Sequence, residues 1–241
     1  MHKHYGDSRV LVAHYDSLVR WMDYMADLAD DHIVVAGRGD WVPPQRTQPE
    51  NQEEVYLTST AYYYRSAQIL ADAARMIGRT EDAERYDALA TEIRDAFNER
   101  FFDTGAGRYE PHSQCSQAFP LYFGLVPDGQ EEAVLEALVD DIMRKREGHL
   151  WTGILGTKAL VKVLPRMGRS DVMYTVATRE TFPGWGYMLS QGATTLWERW
   201  GGYRYFDAGM NSLNHIMFGI VEEFFYRDLA GIAPAGPGYE K

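Results

Sequence analysis

Apolar residues recur at three- and four-residue spacing along most of the chain, a pattern that predicts helices. The first covers Ser8 to Asp30, where Leu11, Tyr15, Leu18, Val19, Met22 and Met25 form one stripe. The stretch from Asp31 to Asn51 holds Gly37, Gly39, Pro43, Pro44 and Pro49, and no helix crosses it. A connection of that length is uncommon unless it has a task. Two helices follow, Glu53 to Ile77 and Thr80 to Glu99, with Gly78 as the stop signal between them. Small residues (Ala67, Ala71, Ala74, Ala83, Ala90) let these two pack closely as a hairpin. The turn-rich stretch Phe101 to Glu110 leads to a helix from Ser113 to Phe123, expected to kink near Pro120, and to another from Gln130 to Glu147.

Beyond His149 the predicted helices are shorter: Leu155 to Leu164, Ser170 to Glu180, and a final one over Leu213 to Leu229. No strand alternation is long enough to support a sheet. The chain therefore reads as all-α, with roughly eight or nine helices in antiparallel succession. A solenoid of the tetratricopeptide type would repeat every ~34 residues, and no such period is present. Uneven connections point instead to antiparallel helical hairpins curled into an α/α toroid. Residues 1–232 are expected to form this domain, with 233–241 as a flexible tail.

Composition narrows the function. With 45% hydrophobic residues among 241, the chain has enough apolar mass to bury a core, which excludes wholly disordered and low-complexity classes. Its net charge of −11 and the lack of any long Lys/Arg run leave no electrostatic footprint for nucleic acid. The short cluster Arg144-Lys145-Arg146 reads as the basic last turn of a helix. No apolar run approaches the roughly 20 residues that span a bilayer, so no membrane partner is expected. Met1 to Val10 shows no apolar signal-peptide core, which predicts a cytoplasmic location. Cys115 stands alone and reads as a packed thiol.

The candidate chemistry lies in three places. The segment Gly184 to Trp200 holds three of the six tryptophans, and Trp197 and Trp200 flank Glu198. Tryptophan faces stack on the C–H faces of sugar rings, and a carboxylate between them can bond hydroxyls or activate water. Apolar walls would also raise its pKa. The plainer alternative is a helix-end aromatic cluster with Glu198 and Arg199 in solvent. In Met210 to His215, Ser212 or Asn211 suits the cap of the last helix, with His215 in its first turn as a hydrogen-bonded core histidine. Asp40 and Trp41 sit mid-loop, where Asp40 could bond its own backbone and Trp41 plug the surface. With no HExxH and no Cys/His cluster, neither a metal nor another cofactor is expected.

Taken in order, these residues resemble a known family. Trp185-Gly186-Tyr187-Met188, Gln191 through Trp200 and Asn211-Ser212-Leu213-Asn214-His215 resemble bacterial α-L-rhamnosidases of glycoside hydrolase family 78. So do Tyr5-Gly6-Asp7, Gly39-Asp40-Trp41 and the run from His149 to Thr157. The resemblance implies an (α/α)6 toroid, incomplete here, and an inverting hydrolase that removes terminal α-L-rhamnose. It implies Glu198 as the general base, with Trp41, Asp40, His215, Trp185 and Trp197 around the sugar. The family's general acid lies in a motif upstream of the Tyr-Gly-Asp segment, at which this sequence starts. Gly201-Gly202 replaces the usual Asp-Gly, and Trp151 stands where Thr is usual. The implied partners are a rhamnose-containing glycoside and either a missing N-terminal part or a second copy that completes the toroid. The alternative is a non-catalytic sugar-binding or scaffold remnant of that fold.

Overall fold

The alanine seam is where the tightest helix pair forms. Ala67, Ala71 and Ala74 of α2 (Gln52–Met76) are buried, as are Ala83 and Ala90 of α3 (Thr80–Phe101), the helix packed most extensively against α2. The computed structural model describes residues 5–44, 52–202 and 212–236. Before this pair, α1 (Arg9–Asp27) buries Tyr15, Met22 and Met25 and packs on α2. It ends earlier than the stripe predicts. Ala29–Asp30 (β1) turns back to pair antiparallel with Ile33–Val34 (β2). Asp31 and His32 take positive φ (46° and 64°) in the two-residue turn, the geometry that matches strand twist. A second short antiparallel pair, β3 (Phe102–Asp103) with β4 (Arg108–Tyr109), follows α3. Neither pair grows into a larger sheet among the described residues.

The helix α4 (Gln114–Phe123) starts where the sequence predicts. Ser113 caps it by accepting from the Ser116 N–H at 2.9 Å. It runs without a break through Pro120, where a kink was expected, and its residues Gln114 to Leu121 are buried. α5 (Glu131–Asp140) passes into a π turn over Asp141–Lys145, so the basic cluster does close the helix, slightly short of Glu147. α6 (Ile154–Arg166), α7 (Ser170–Ala177) and α8 (Trp185–Ser190) follow. The last helix, α9, spans 216–229 as a 3-10 turn (Ile216–Ile220), one α turn (Val221–Glu223) and a π segment (Phe224–Leu229).

The arrangement is a row of alternating helices. α2, α4, α6 and α9 touch one another in succession, while α1, α3, α5 and α7 back them. Because successive helices reverse direction, α2, α4 and α6 run parallel, and their N-terminal ends meet at one end of the molecule. Loops 31–44, 102–113 and 146–153 all arrive there. This is a part of an α/α toroid built from helical hairpins, as expected. No described helix is long and apolar enough to cross a membrane. Residues 237–241 of the expected tail lie outside the described residues.

Candidate active site

The loop before α2 is tied to the start of α6 by a carboxylate. Asp40 Oδ2 accepts from the Gly153 N–H at 2.6 Å, and Oδ1 accepts from the Gly156 N–H at 2.8 Å. The Ile154 N–H donates to the Trp41 carbonyl at 2.8 Å. Three of the amides left free at the start of α6 are thus met by residues over a hundred positions earlier in the chain. The local bonds expected of Asp40 are replaced by these distant ones. The glycines are part of the fit. A Cβ at Gly156 would stand 2.6 Å from Asp40 Oδ2, and one at Gly153 would overlap the Trp41 carbonyl.

The same segment carries the tryptophan cluster. Trp200, only 1% exposed, donates its indole N–H to the Thr152 carbonyl at 2.8 Å. Its ring stacks on Phe218 with centroids 3.9 Å apart and meets the edge of Trp185 at 5.1 Å. The Trp185 indole N–H in turn donates to the Phe218 carbonyl at 2.9 Å. Burial requires such partners for indole N–H groups, and both find backbone oxygens. Trp185, Trp200 and Phe218 therefore form a rigid floor linking α8, α9 and the segment before α6.

Glu198 lies two residues before Trp200 in the chain. It is 6% exposed, so the solvated Glu198 of the plainer alternative is not what forms. Its N–H donates to the Ser212 carbonyl at 2.9 Å, and the Ser212 N–H donates back to Glu198 Oε2 at 2.9 Å. Two residues along, the His215 N–H donates to the Leu196 carbonyl at 2.8 Å. The strip 196–198 thus runs beside 212–215, with Glu198 opposite Ser212 and His215 opposite Leu196. Ser212 does not cap α9. Its Oγ accepts from the Asn214 N–H at 3.1 Å, and His215 is the residue that precedes the first turn rather than lying in it. Asn211 lies outside the described residues.

A polar cavity of about 370 Å³ opens beside Asp40, walled by Glu54, His112, Cys115, Asp141, Arg146 and Trp151 among others. Arg146 lies 4.2 Å above the Trp151 ring. Ser113 donates to the Glu54 carboxylate, which joins the first turn of α2 to that of α4. Burial, and then the charge of Glu54, push the Asp40 carboxyl up to about 7, against the pull of the Gly156, Gly153 and Leu155 N–H groups. Burial first, then the charges of Asp40 and Glu54, also raise the Cys115 thiol, an inert packed group as the sequence suggests. The ligand atoms of Asp40, Glu54 and Cys115 lie within 4.8 Å of one another, while both Asp40 oxygens accept from backbone amides and Glu54 accepts from Ser113.

Sequence reasoning selected Trp41, Asp40, His215, Trp185, Trp197 and Glu198, and all of them fall at the end of the molecule where the inner helices begin. They do not share one environment. Trp41 and His215 are half-buried, with faces open to solvent. Asp40 is 2% exposed and engaged with backbone on both oxygens. Trp185 and Trp197 are buried, and Trp185 also edges a small cleft with Met188 and Leu196. Glu54, Arg146 and Trp151 were not selected. The acidic first turn of α2 was the available signal for Glu54.

Residues 1–229 match the bacterial alpha-L-rhamnosidase six-hairpin glycosidase domain. An alpha-L-rhamnosidase of Formosa agariphila is 34% identical over 98% of this chain, which covers 26% of that protein. A solved alpha-L-rhamnosidase from Dictyoglumus thermophilum superposes with a TM-score of 0.91 at 38% identity, over 98% of this chain and 26% of that one. The Streptomyces avermitilis alpha-L-rhamnosidase solved with L-rhamnose gives 0.87 at 35% identity, over 99% of this chain and 23% of that one. The chain thus spans about a quarter of the length of these relatives. With its helical-hairpin architecture and a match over nearly its whole length, the chain belongs to the bacterial alpha-L-rhamnosidase six-hairpin glycosidase family.

Proposed function

We propose that these hairpins form the base-side part of an α-L-rhamnosidase site, which removes terminal α-L-rhamnose with inversion. In this reading Glu198 takes a proton from water as the water attacks the anomeric carbon. The departing glycosidic oxygen is protonated by a general acid about 6.5–9.5 Å from the base, the spacing that admits the water. Trp41 and His215 line the sugar, and Asp40, Trp185 and Trp197 support that lining. The general acid comes from outside these residues, on further hairpins of a longer polypeptide or on a second copy. Ile216, at 81% exposed, and Met217 present an apolar face on α9 for such hairpins to cover.

One observation carries the reading most: the backbone pairing of 196–198 with 212–215, which fixes the buried Glu198 against Ser212 and seats His215 opposite Leu196 on the same strip. The similarity to an enzyme solved with L-rhamnose supports the sugar. The test is release of 4-nitrophenol from 4-nitrophenyl α-L-rhamnopyranoside by the purified chain and by Glu198→Gln. Slow hydrolysis is expected, because general acid catalysis is typically worth roughly 10²–10⁴-fold, and it disappears in the variant. Equal turnover by the variant overturns the role of Glu198. Saturable L-rhamnose binding with no turnover would favour the sugar-binding remnant, a reading that the quarter-length coverage of the relatives keeps open.

A further inference from the structure

The most constrained group near the site is not Glu198 but Asp40, and nothing in the proposed chemistry uses it directly. Its carboxylate is sealed from solvent, with one oxygen on the Gly153 N–H and the other on the Gly156 N–H. Two bonds in the same place extend its reach. The Trp41 carbonyl takes the Ile154 N–H, and the Thr152 carbonyl, one residue before Gly153, takes the Trp200 indole N–H. An unbroken path therefore runs from Trp41 through Asp40, Gly153 and Thr152 to Trp200, two residues from Glu198. Both glycines leave room for the carboxylate that any side chain would fill.

We propose that Asp40 is a positioning residue: seated on the first amides of α6, it fixes Trp41 relative to the Trp200 floor, so that the sugar wall and Glu198 keep one spacing. This rests on the rhamnosidase reading and changes one part of it, since Asp40 acts through Trp41 and Trp200 rather than by touching the sugar. A carboxylate suits the task because it offers two acceptor oxygens to two diverging N–H groups, and both are aligned with the positive end of the helix dipole. An asparagine would offer one oxygen and set an N–H₂ against the other donor.

Among the described residues, the charged and titratable groups that face Asp40 are Glu54 and Tyr62 from α2 and Cys115 from α4, with His112, Asp141 and Arg146 around the adjoining cavity. Burial and Glu54 hold the Asp40 carboxyl at about 7, so the clamp should register at the two glycines as a titration in the neutral range.

The experiment uses the full chain, labelled with ¹⁵N. The Gly153 and Gly156 amide resonances are followed from acid to alkaline pH in the native chain and in Asp40→Asn. L-Rhamnose binding is measured by tryptophan fluorescence for both and for Trp41→Ala. The expected result is that the two glycine amides shift together with one midpoint near neutrality, and that this step vanishes in Asp40→Asn. The variant should also bind L-rhamnose about tenfold or more weakly, the cost of losing a charge-assisted hydrogen bond. Unchanged rhamnose affinity in a folded Asp40→Asn chain overturns the proposal. If that variant does not fold, the native chain decides: glycine amides that ignore the neutral titration, or that titrate separately, overturn it. If the native chain binds no rhamnose, the rhamnosidase reading fails, and the amide titration then judges the clamp alone.

Discussion

Glu198 and Ser212 hold each other through two hydrogen bonds, each 2.9 Å long: the Glu198 N–H on the Ser212 carbonyl, and the Ser212 N–H on Glu198 Oε2. The carboxylate is thereby oriented by backbone, which cannot swing away as a side chain could. Preorganised placement of this kind suits the proposed role of Glu198 as a base. In Glu198→Gln the amide oxygen can still accept from Ser212. The variant should therefore unfold within about 0.5 kcal/mol of the parent, the usual range for a change that breaks no packing. Its rhamnoside hydrolysis should fall about a hundredfold or more. Urea unfolding beside the nitrophenyl assay checks both halves.

Gly156→Ala places a methyl group 2.6 Å from Asp40 Oδ2 and 2.8 Å from Thr152 Cγ2. Neither neighbour can retreat, since both are buried and bonded. Overpacking of this kind costs about 1–3 kcal/mol. Gly236→Ala, with nothing within 4 Å, serves as the control and should be silent. Urea midpoints of the two variants give the comparison.

Trp200→Ala removes the ring that stacks on Phe218 and meets Trp185, and it should cost about 3–5 kcal/mol. Trp200→Phe keeps most of the volume but leaves the Thr152 carbonyl without its indole donor, a loss of about 1–3 kcal/mol. The near-ultraviolet circular dichroism of the tryptophans should collapse in the first variant and only weaken in the second.

Much of this was legible along the chain, and what was not has a physical reason. The alanine seam of α2 and α3 is a local repeat, and the predicted pair formed within two residues at each end. The start of α4 was read within one residue, because the serine that caps it stands directly before the helix. The continuation of α4 past Pro120 was not legible, because a proline in a sequence pattern reads as a break. The early end of α1 was missed because β1 and β2 are two residues each, too short for alternation to show. Asp40 was visible as a candidate, but its partners lie 113 and 116 residues away, a distance no local pattern spans. Ser212 looked like a helix cap because serine before an apolar run usually is one. Here Glu198 claims its amide instead, and α9 begins at Ile216. The resemblance located Trp185 and Trp197 but could not say that both would be buried.

Stability should also depend on pH through Asp40. Its carboxyl is raised from 3.8 to about 7, so the folded chain keeps this proton where the unfolded chain has lost it. That contribution is complete below the unfolded value, declines as pH rises from about 4 to about 7, and is level above. The difference in unfolding free energy between the parent and Asp40→Asn should therefore fall with pH across that window, by at most about 1.4 kcal/mol per pH unit. Urea titrations at pH 5, 6, 7 and 8 follow it, and the slope should be steepest between the first two and shallowest between the last two.

The central claim is that these hairpins hold the rhamnose-binding side of a glycosidase site, with Trp41 and His215 against the sugar. Calorimetric titration of L-rhamnose into the folded chain, beside D-glucose and beside Trp41→Ala, tests it most directly. The account predicts saturable heat for L-rhamnose, little for D-glucose, and a loss of the L-rhamnose signal in Trp41→Ala. Equal heats for the two sugars, or L-rhamnose binding that ignores Trp41, would contradict it.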